Sequence, residues 1–318
     1  MSEGNPKGSD LIKYWWYRAL GYSDTQAKWQ LKDKPNSKQP QRKLRHKHCE
    51  NCRHLMLINE TQCSRCGHKD QVPTWLRNLV SQWNVPPESL IPFLAALCLF
   101  GYLVQIKLGA DFFGGIGESR EVNRRILILG AALPYSFSEY LDPKNTWRLF
   151  SYTCLHGNLM HIAFNLIALV QIGPLVAKTF GFSRSLFLWV FSGITAILFP
   201  ALLFTVYPTI GASGSVFGFI GAAMAFGHRI GTPQGRFIRN KMIEWTVFCT
   251  LFGMAMGGVA HSAHFGGLIG GALLSFVISP PTHAKAKLLS GLFFLSSLAF
   301  ILWSFWTAWS VFEVISVY

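Results

Sequence analysis

The sequence predicts an all-α polytopic membrane protein with a small polar module at its amino end, and three observations predict it. Half of the 318 residues are apolar and only 14% are charged, against about 25% charged in an average soluble chain. The apolar residues gather into segments of roughly 20, the length that crosses about 30 Å of hydrocarbon. Charge is concentrated at the front, where residues 1–87 hold 15 of the 29 Lys and Arg and 7 of the 15 Asp and Glu, whereas from Ser151 onward the only acids are Glu244 and Glu313. This composition excludes a purely soluble protein and a disordered one. A net charge of +14 concentrated next to apolar segments reads as retention on the cytoplasmic side of a membrane, with nucleic acid the less economical partner.

The first 45 residues form a basic aromatic segment and linker. Tyr14, Trp15, Trp16, Tyr17 and Trp29 lie among lysines and arginines, a pattern that fits a small helical hairpin better than an interfacial helix on acidic lipid. Residues 46–72 carry Cys49, Cys52, Cys63 and Cys66 as CxxC, ten residues, CxxC. Each CxxC turns two thiolates toward one ion, and the intervening residues suffice for a short hairpin that brings the pairs together. The expectation is a structural zinc site in a cytosolic, zinc-ribbon-like module. Two disulfides are the alternative, disfavoured in a reducing compartment. No apolar signal peptide is visible near Met1, so the first span is expected to act as the insertion signal. The lack of a presequence favours a bacterial inner membrane over an organelle.

Seven apolar segments follow, near 89–108, 153–174, 185–206, 212–228, 242–259, 262–279 and 287–312. With the amino end inside, Lys178, Arg184, Arg229, Arg236, Arg239, Lys241, Lys285 and Lys287 all fall at inner loops or their edges, while the outer loops around Tyr207 and Gly258 carry no charge. That agrees with the positive-inside rule. The long loop 109–152 is the exception, since its five bases and five acids cancel.

Polar groups at membrane depth are costly and mark function by default. Topology places His156, His161 and Asn165 of the second span, Ser213 of the fourth, and His261 and His264 of the sixth at a similar, outer depth. His161 and Asn165 are four apart and share a helical face. The fourth span reads GASGSVFGFIGAAMA and the sixth AHFGGLIGGALL, so Gly214, Gly218 and Ala222 face a partner across small residues, as do Gly266, Gly267, Gly270 and Gly271. Such faces let helix backbones meet, which would bring Ser213 within reach of His264. Serine with histidine is a nucleophile with its general base. His161, Asn165 and the Ser213 backbone N–H are candidate donors to a developing oxyanion. The second, fourth and sixth spans contain no Asp or Glu, which argues against a paired-aspartate protease, an HExxH metalloprotease and a proton-coupled transporter, and leaves a Ser-His dyad.

At these residues the sequence resembles the rhomboid intramembrane serine proteases. The resemblance runs from Ile91 to about Pro280 and rests on four ordered features: Trp147-Arg148, the block HGNLMHIAFN from His156 to Asn165, GASG from Gly211 to Gly214, and AHFGG from Ala263 to Gly267. It implies a six-helix protease core over 89–280, with 287–312 as an additional C-terminal transmembrane helix. It implies Ser213 as nucleophile, His264 as general base, His161 and Asn165 at the oxyanion hole with His156 supporting it, and no cofactor for catalysis. Trp147 and Arg148 match an outer-loop motif with a mainly structural role; His261 matches no catalytic role. The implied reaction is hydrolysis of a peptide bond in or near a transmembrane segment of another membrane protein. The alternative is a catalytically silent rhomboid-like protein that binds such segments for trafficking or quality control. A cytosolic partner for the zinc module is a further expectation left open, and the resemblance does not extend to residues 1–87.

Overall fold

The computed structural model describes residues 46–49, 55–57, 60, 62–68, 85–107, 129–133, 136–203, 208–256, 258–278 and 284–316. The aromatic segment at the amino end and Cys52 lie outside them. The chain divides into two compact units, one of residues 1–49 and 54–60, the other of 50–53 and 61–318.

In the first unit, β1 (His46–His48) pairs antiparallel with β2 (Leu55–Leu57), His46 opposite Leu57 and His48 opposite Leu55. Cys49 directly follows β1 and is buried. The hairpin therefore straddles the first CxxC instead of lying between the two pairs.

The second unit is helical. Its long helices are α1 (Leu90–Lys107), α5 (Leu159–Phe180), α6 (Phe182–Leu203), α7 (Ser213–Ile230), α8 (Pro233–Met256), α9 (His261–Val277) and α10 (Ala284–Ser316), and three short helices, α2 (Phe137–Leu141), α3 (Pro143–Thr146) and α4 (Arg148–Ser151), precede α5. Each of the seven predicted apolar segments is thus a helix. Among the described residues α1, α5, α6 and α10 are long and apolar enough to cross a membrane by length and composition. The other three differ for visible reasons. α9 is the shortest of the seven at 17 residues, α7 dilutes its 18 residues with four glycines and ends on His228-Arg229, and the amino-terminal part of α8 carries Arg236, Arg239 and Lys241.

Between helices in lipid the hydrophobic effect gives little, so close van der Waals contact must hold them together. α9 achieves it with two glycine ladders. A Cβ on Gly267 or Gly271 would overlap the carbonyl oxygen of Gly214 or Gly218 on α7, and a Cβ on Gly266 or Gly270 would collide with Thr195 on α6. The four glycines that look equivalent in sequence therefore serve two different neighbours. On the far side, α10 docks on α6 through Phe293 against Phe187, ring centroids 4.6 Å apart, with Arg184 donating to the Ser290 hydroxyl.

The second span begins later than its apolar run predicts. Tyr152–Cys154 is a 3₁₀ turn, and α5 starts only at Leu159, where the Asn158 side chain accepts the His161 N–H at 2.8 Å. A side-chain cap of this kind satisfies an otherwise orphaned donor and sets the helix start. His156 consequently sits in an extended strap before α5 and not within the helix. The Trp147-Arg148 pair braces the preceding loop. Trp147 is fully buried and its indole donates to Lys144 O at 2.8 Å, while Arg148 lies over the Trp147 ring and donates to Ala131 O at 3.1 Å.

Candidate active site

Ser213 is the first residue of α7, reached through Gly211, whose φ of +118° is a left-handed conformation that a side chain would strain. Gly211 is needed for space as well, since a Cβ there would lie 2.7 Å from the His161 ring. Its N–H donates to Tyr152 O at 2.9 Å, which ties the turn to the 3₁₀ segment. His264 lies one turn into α9. Because the glycine ladder presses α9 onto α7, its Nε2 comes to 2.8 Å from Ser213 Oγ. The His264 ring stacks on Phe217, centroids 4.2 Å apart and planes 15° from parallel. Phe217 is four residues after Ser213, on the same face of α7, so one helix supplies both the hydroxyl and the surface that orients the imidazole. Among the described residues His264 Nδ1 meets no hydrogen-bond partner.

The polar groups of α5 line the other side. His161 and Asn165 do share a face. Asn165 is buried and spends one amide N–H on His161 O at 2.9 Å, which leaves its second for another acceptor. His161 Nδ1 accepts the Gly157 N–H at 3.3 Å, and its ring meets that of His156 edge-on with centroids 5.2 Å apart. His156 is 1% exposed. His261, for which the sequence offers no role, packs its ring edge-on against His264 at 5.8 Å. The six polar residues read from sequence thus gather at one end of the helical unit, Ser213 and His264 in direct contact. Near them Phe164 of α5 touches Phe252 of α8, centroids 4.4 Å apart.

Three contributors escaped the sequence reading. Phe217 looked like one more apolar helix residue. Tyr152, buried with its hydroxyl on Gly193 O at 2.8 Å, is the last residue of the long loop 109–152, for which the sequence offers no role. Gln105, 1% exposed in the last turn of α1, is the one with a legible signal, because an uncharged polar residue closing an apolar span still needs a partner.

Away from this site, Cys63 and Cys66 lie within 4.8 Å of each other, sulfur to sulfur. They bracket a tight turn in which the Gly67 N–H donates to Cys63 O at 2.9 Å and Gly67 takes φ +70°.

The comparisons with known proteins bear on the same helices. The Rhomboid domain family model matches residues 143–281. The rhomboid protease AarA of Providencia stuartii is 31% identical over 225 residues, which cover 61% of this chain and 78% of that protein. The chain belongs to the rhomboid family. The rhomboid protease GluP of Bacillus subtilis is 33% identical over 135 residues, 42% of this chain and 26% of GluP. The rhomboid protease GlpG of Yersinia pseudotuberculosis is 33% identical over 156 residues, 46% of this chain and 51% of GlpG. The chain therefore spans only about a quarter of GluP and half of GlpG. The α7 turn, the α9 histidine and the α5 donors all fall within the family match, whereas α1 lies outside it.

Proposed function

We propose that this rhomboid-family chain is an intramembrane serine endopeptidase that hydrolyses peptide bonds within or near transmembrane segments of other membrane proteins. The observation that carries the reading is the 2.8 Å contact between Ser213 Oγ and His264 Nε2 at the meeting of two glycine-packed helices. His264 takes the hydroxyl proton as Ser213 attacks the scissile carbonyl, then gives it to the leaving amine; water repeats the sequence on the acyl-enzyme. The oxyanion is received by His161, the free amide N–H of Asn165 and the Ser213 backbone N–H, with His156 supporting His161. Donors of this kind are worth more away from bulk water. No cofactor is needed for the chemistry. The amino end lies in the cytoplasm of a bacterial inner membrane, the six-helix core spans 89–280, and α10 is the additional C-terminal span. The reading is preferred to the silent alternative because Ser213, His264, His161 and Asn165 are all present in the chain.

Ser213→Ala is expected to abolish cleavage of a single-span reporter and labelling by a serine-reactive fluorophosphonate while leaving membrane insertion intact. Cleavage by the variant at the parental rate would refute the dyad. For residues 46–72 the reading is a structural zinc site of Cys49, Cys52, Cys63 and Cys66. It is supported by the doubled CxxC spacing and by the Cys63–Cys66 separation, which suits two ligands of one ion with Zn–S bonds of about 2.3 Å. Metal analysis of the purified full chain is expected to find about one zinc per chain, lost in Cys63→Ser with reporter cleavage retained.

A further inference from the structure

Gln105 stands at the end of α1, outside the residues matched by the family model, and its side-chain amide faces the strap that carries His156. Its Nε2 donates to His156 O at 3.1 Å and its Oε1 accepts the His156 N–H at 2.8 Å. The amide thereby treats the strap as a neighbouring strand would, satisfying both backbone groups of one buried residue. One turn earlier on α1, a Cβ on Gly101 would overlap the Cys154 carbonyl, so the helix lies directly against the strap and the amide has little freedom to move. The strap in turn holds His161. Gly157, next to the clamped residue, donates its N–H to His161 Nδ1 at 3.3 Å, and Asn158 Oδ1 accepts the His161 backbone N–H at 2.8 Å.

A ring nitrogen that accepts from a backbone amide carries no proton. Neutral His161 must then bear its proton on Nε2, and the Nε2 side of the ring is the one packed against Gly211, two residues before Ser213. We infer that Gln105 is a positioning residue for the oxyanion side of the site: by fixing the His156–Gly157 backbone it sets the tautomer and place of His161. The inference rests on the reading of His161 as an oxyanion donor.

The test is a double-mutant cycle on the full chain in liposomes with a single-span reporter, each rate normalised to the fraction of sites that fluorophosphonate labels at completion. Gln105→Leu removes both hydrogen bonds at similar volume; Gln105→Asn keeps the amide but is one methylene too short to reach both groups. Each is expected to lower kcat about tenfold or more with KM within about twofold, because a displaced catalytic group costs rate and not binding. In a His161→Ala background the same changes are expected to add little, since they act through the ring already removed. A purely structural role would instead reduce the labelled fraction and leave the normalised kcat alone, or multiply with His161→Ala. Either result overturns the inference. His161→Ala as fast as the parent would remove the reading beneath it, whereas a normal His161→Ala loss with parental kcat in both Gln105 variants would remove the clamp alone.

Discussion

The two sides of the site are built in different ways. Ser213 and His264 sit on helices whose backbones touch through glycine, Gly214 and Gly218 of α7 against Gly267 and Gly271 of α9. His156, His161 and Asn165 are held by hydrogen bonds along a strap and the first turns of α5. Backbone contact tolerates no added atom and sets the Ser213–His264 distance as a consequence of folding. A hydrogen-bonded strap can lose a donor without losing the fold. The fold and the Ser213–His264 contact therefore stand or fall together, while the His161–Asn165 side can be altered separately.

The largest expected effect comes from breaking the first side. Gly267→Leu places a side chain into the Gly214 backbone, where overpacking of even an adaptable core costs about 1–3 kcal/mol and here no side chain can move aside. It should abolish fluorophosphonate labelling and lower the thermal unfolding midpoint. Gly291→Leu on α10, where a Cβ meets nothing within 4 Å, should change neither. On the second side, Asn165→Ala is expected to cut kcat about 100-fold, the usual cost of one oxyanion donor, with the unfolding midpoint near that of the parent. A matched collapse of stability in Asn165→Ala would erase the contrast between the two sides.

The smallest effect belongs to the loop before α5. Glu139 is fully exposed in a capping box with Ser136, and the Ser136 hydroxyl, then its backbone N–H, hold the Glu139 carboxyl below its ordinary value. A carboxylate whose folded value is lowered stabilises the fold above its unfolded pKa and loses that contribution as pH falls through the lowered value. Glu139→Gln should therefore lower the unfolding midpoint slightly at neutral pH, and the difference should vanish in acid below the ordinary carboxylate range.

Much of this was legible in one dimension because lipid imposes strong rules on sequence. A segment must be apolar for about 20 residues to cross, so the seven helices could be placed. Polar residues that survive within such segments stand out, so Ser213, His264, His161 and Asn165 could be singled out. Local chemistry was less legible. The Asn158 cap moved the start of α5 past His156, because a polar cap overrides an apolar segment that begins upstream, near residue 153. Phe217 was hidden among residues of the same type.

Sequence alone determined the apolar spans, the acid-free interior that leaves a serine and a histidine without a carboxylate, and the doubled CxxC of the front. Only the tertiary structure decided which glycines meet which helix, that Phe217 carries the His264 ring, and that Gln105 of α1 reaches a strap 51 residues away in sequence. The reason is physical. Hydropathy and helical period are properties of a segment, whereas ladder pairing, ring stacking and a clamped backbone are properties of two segments brought together.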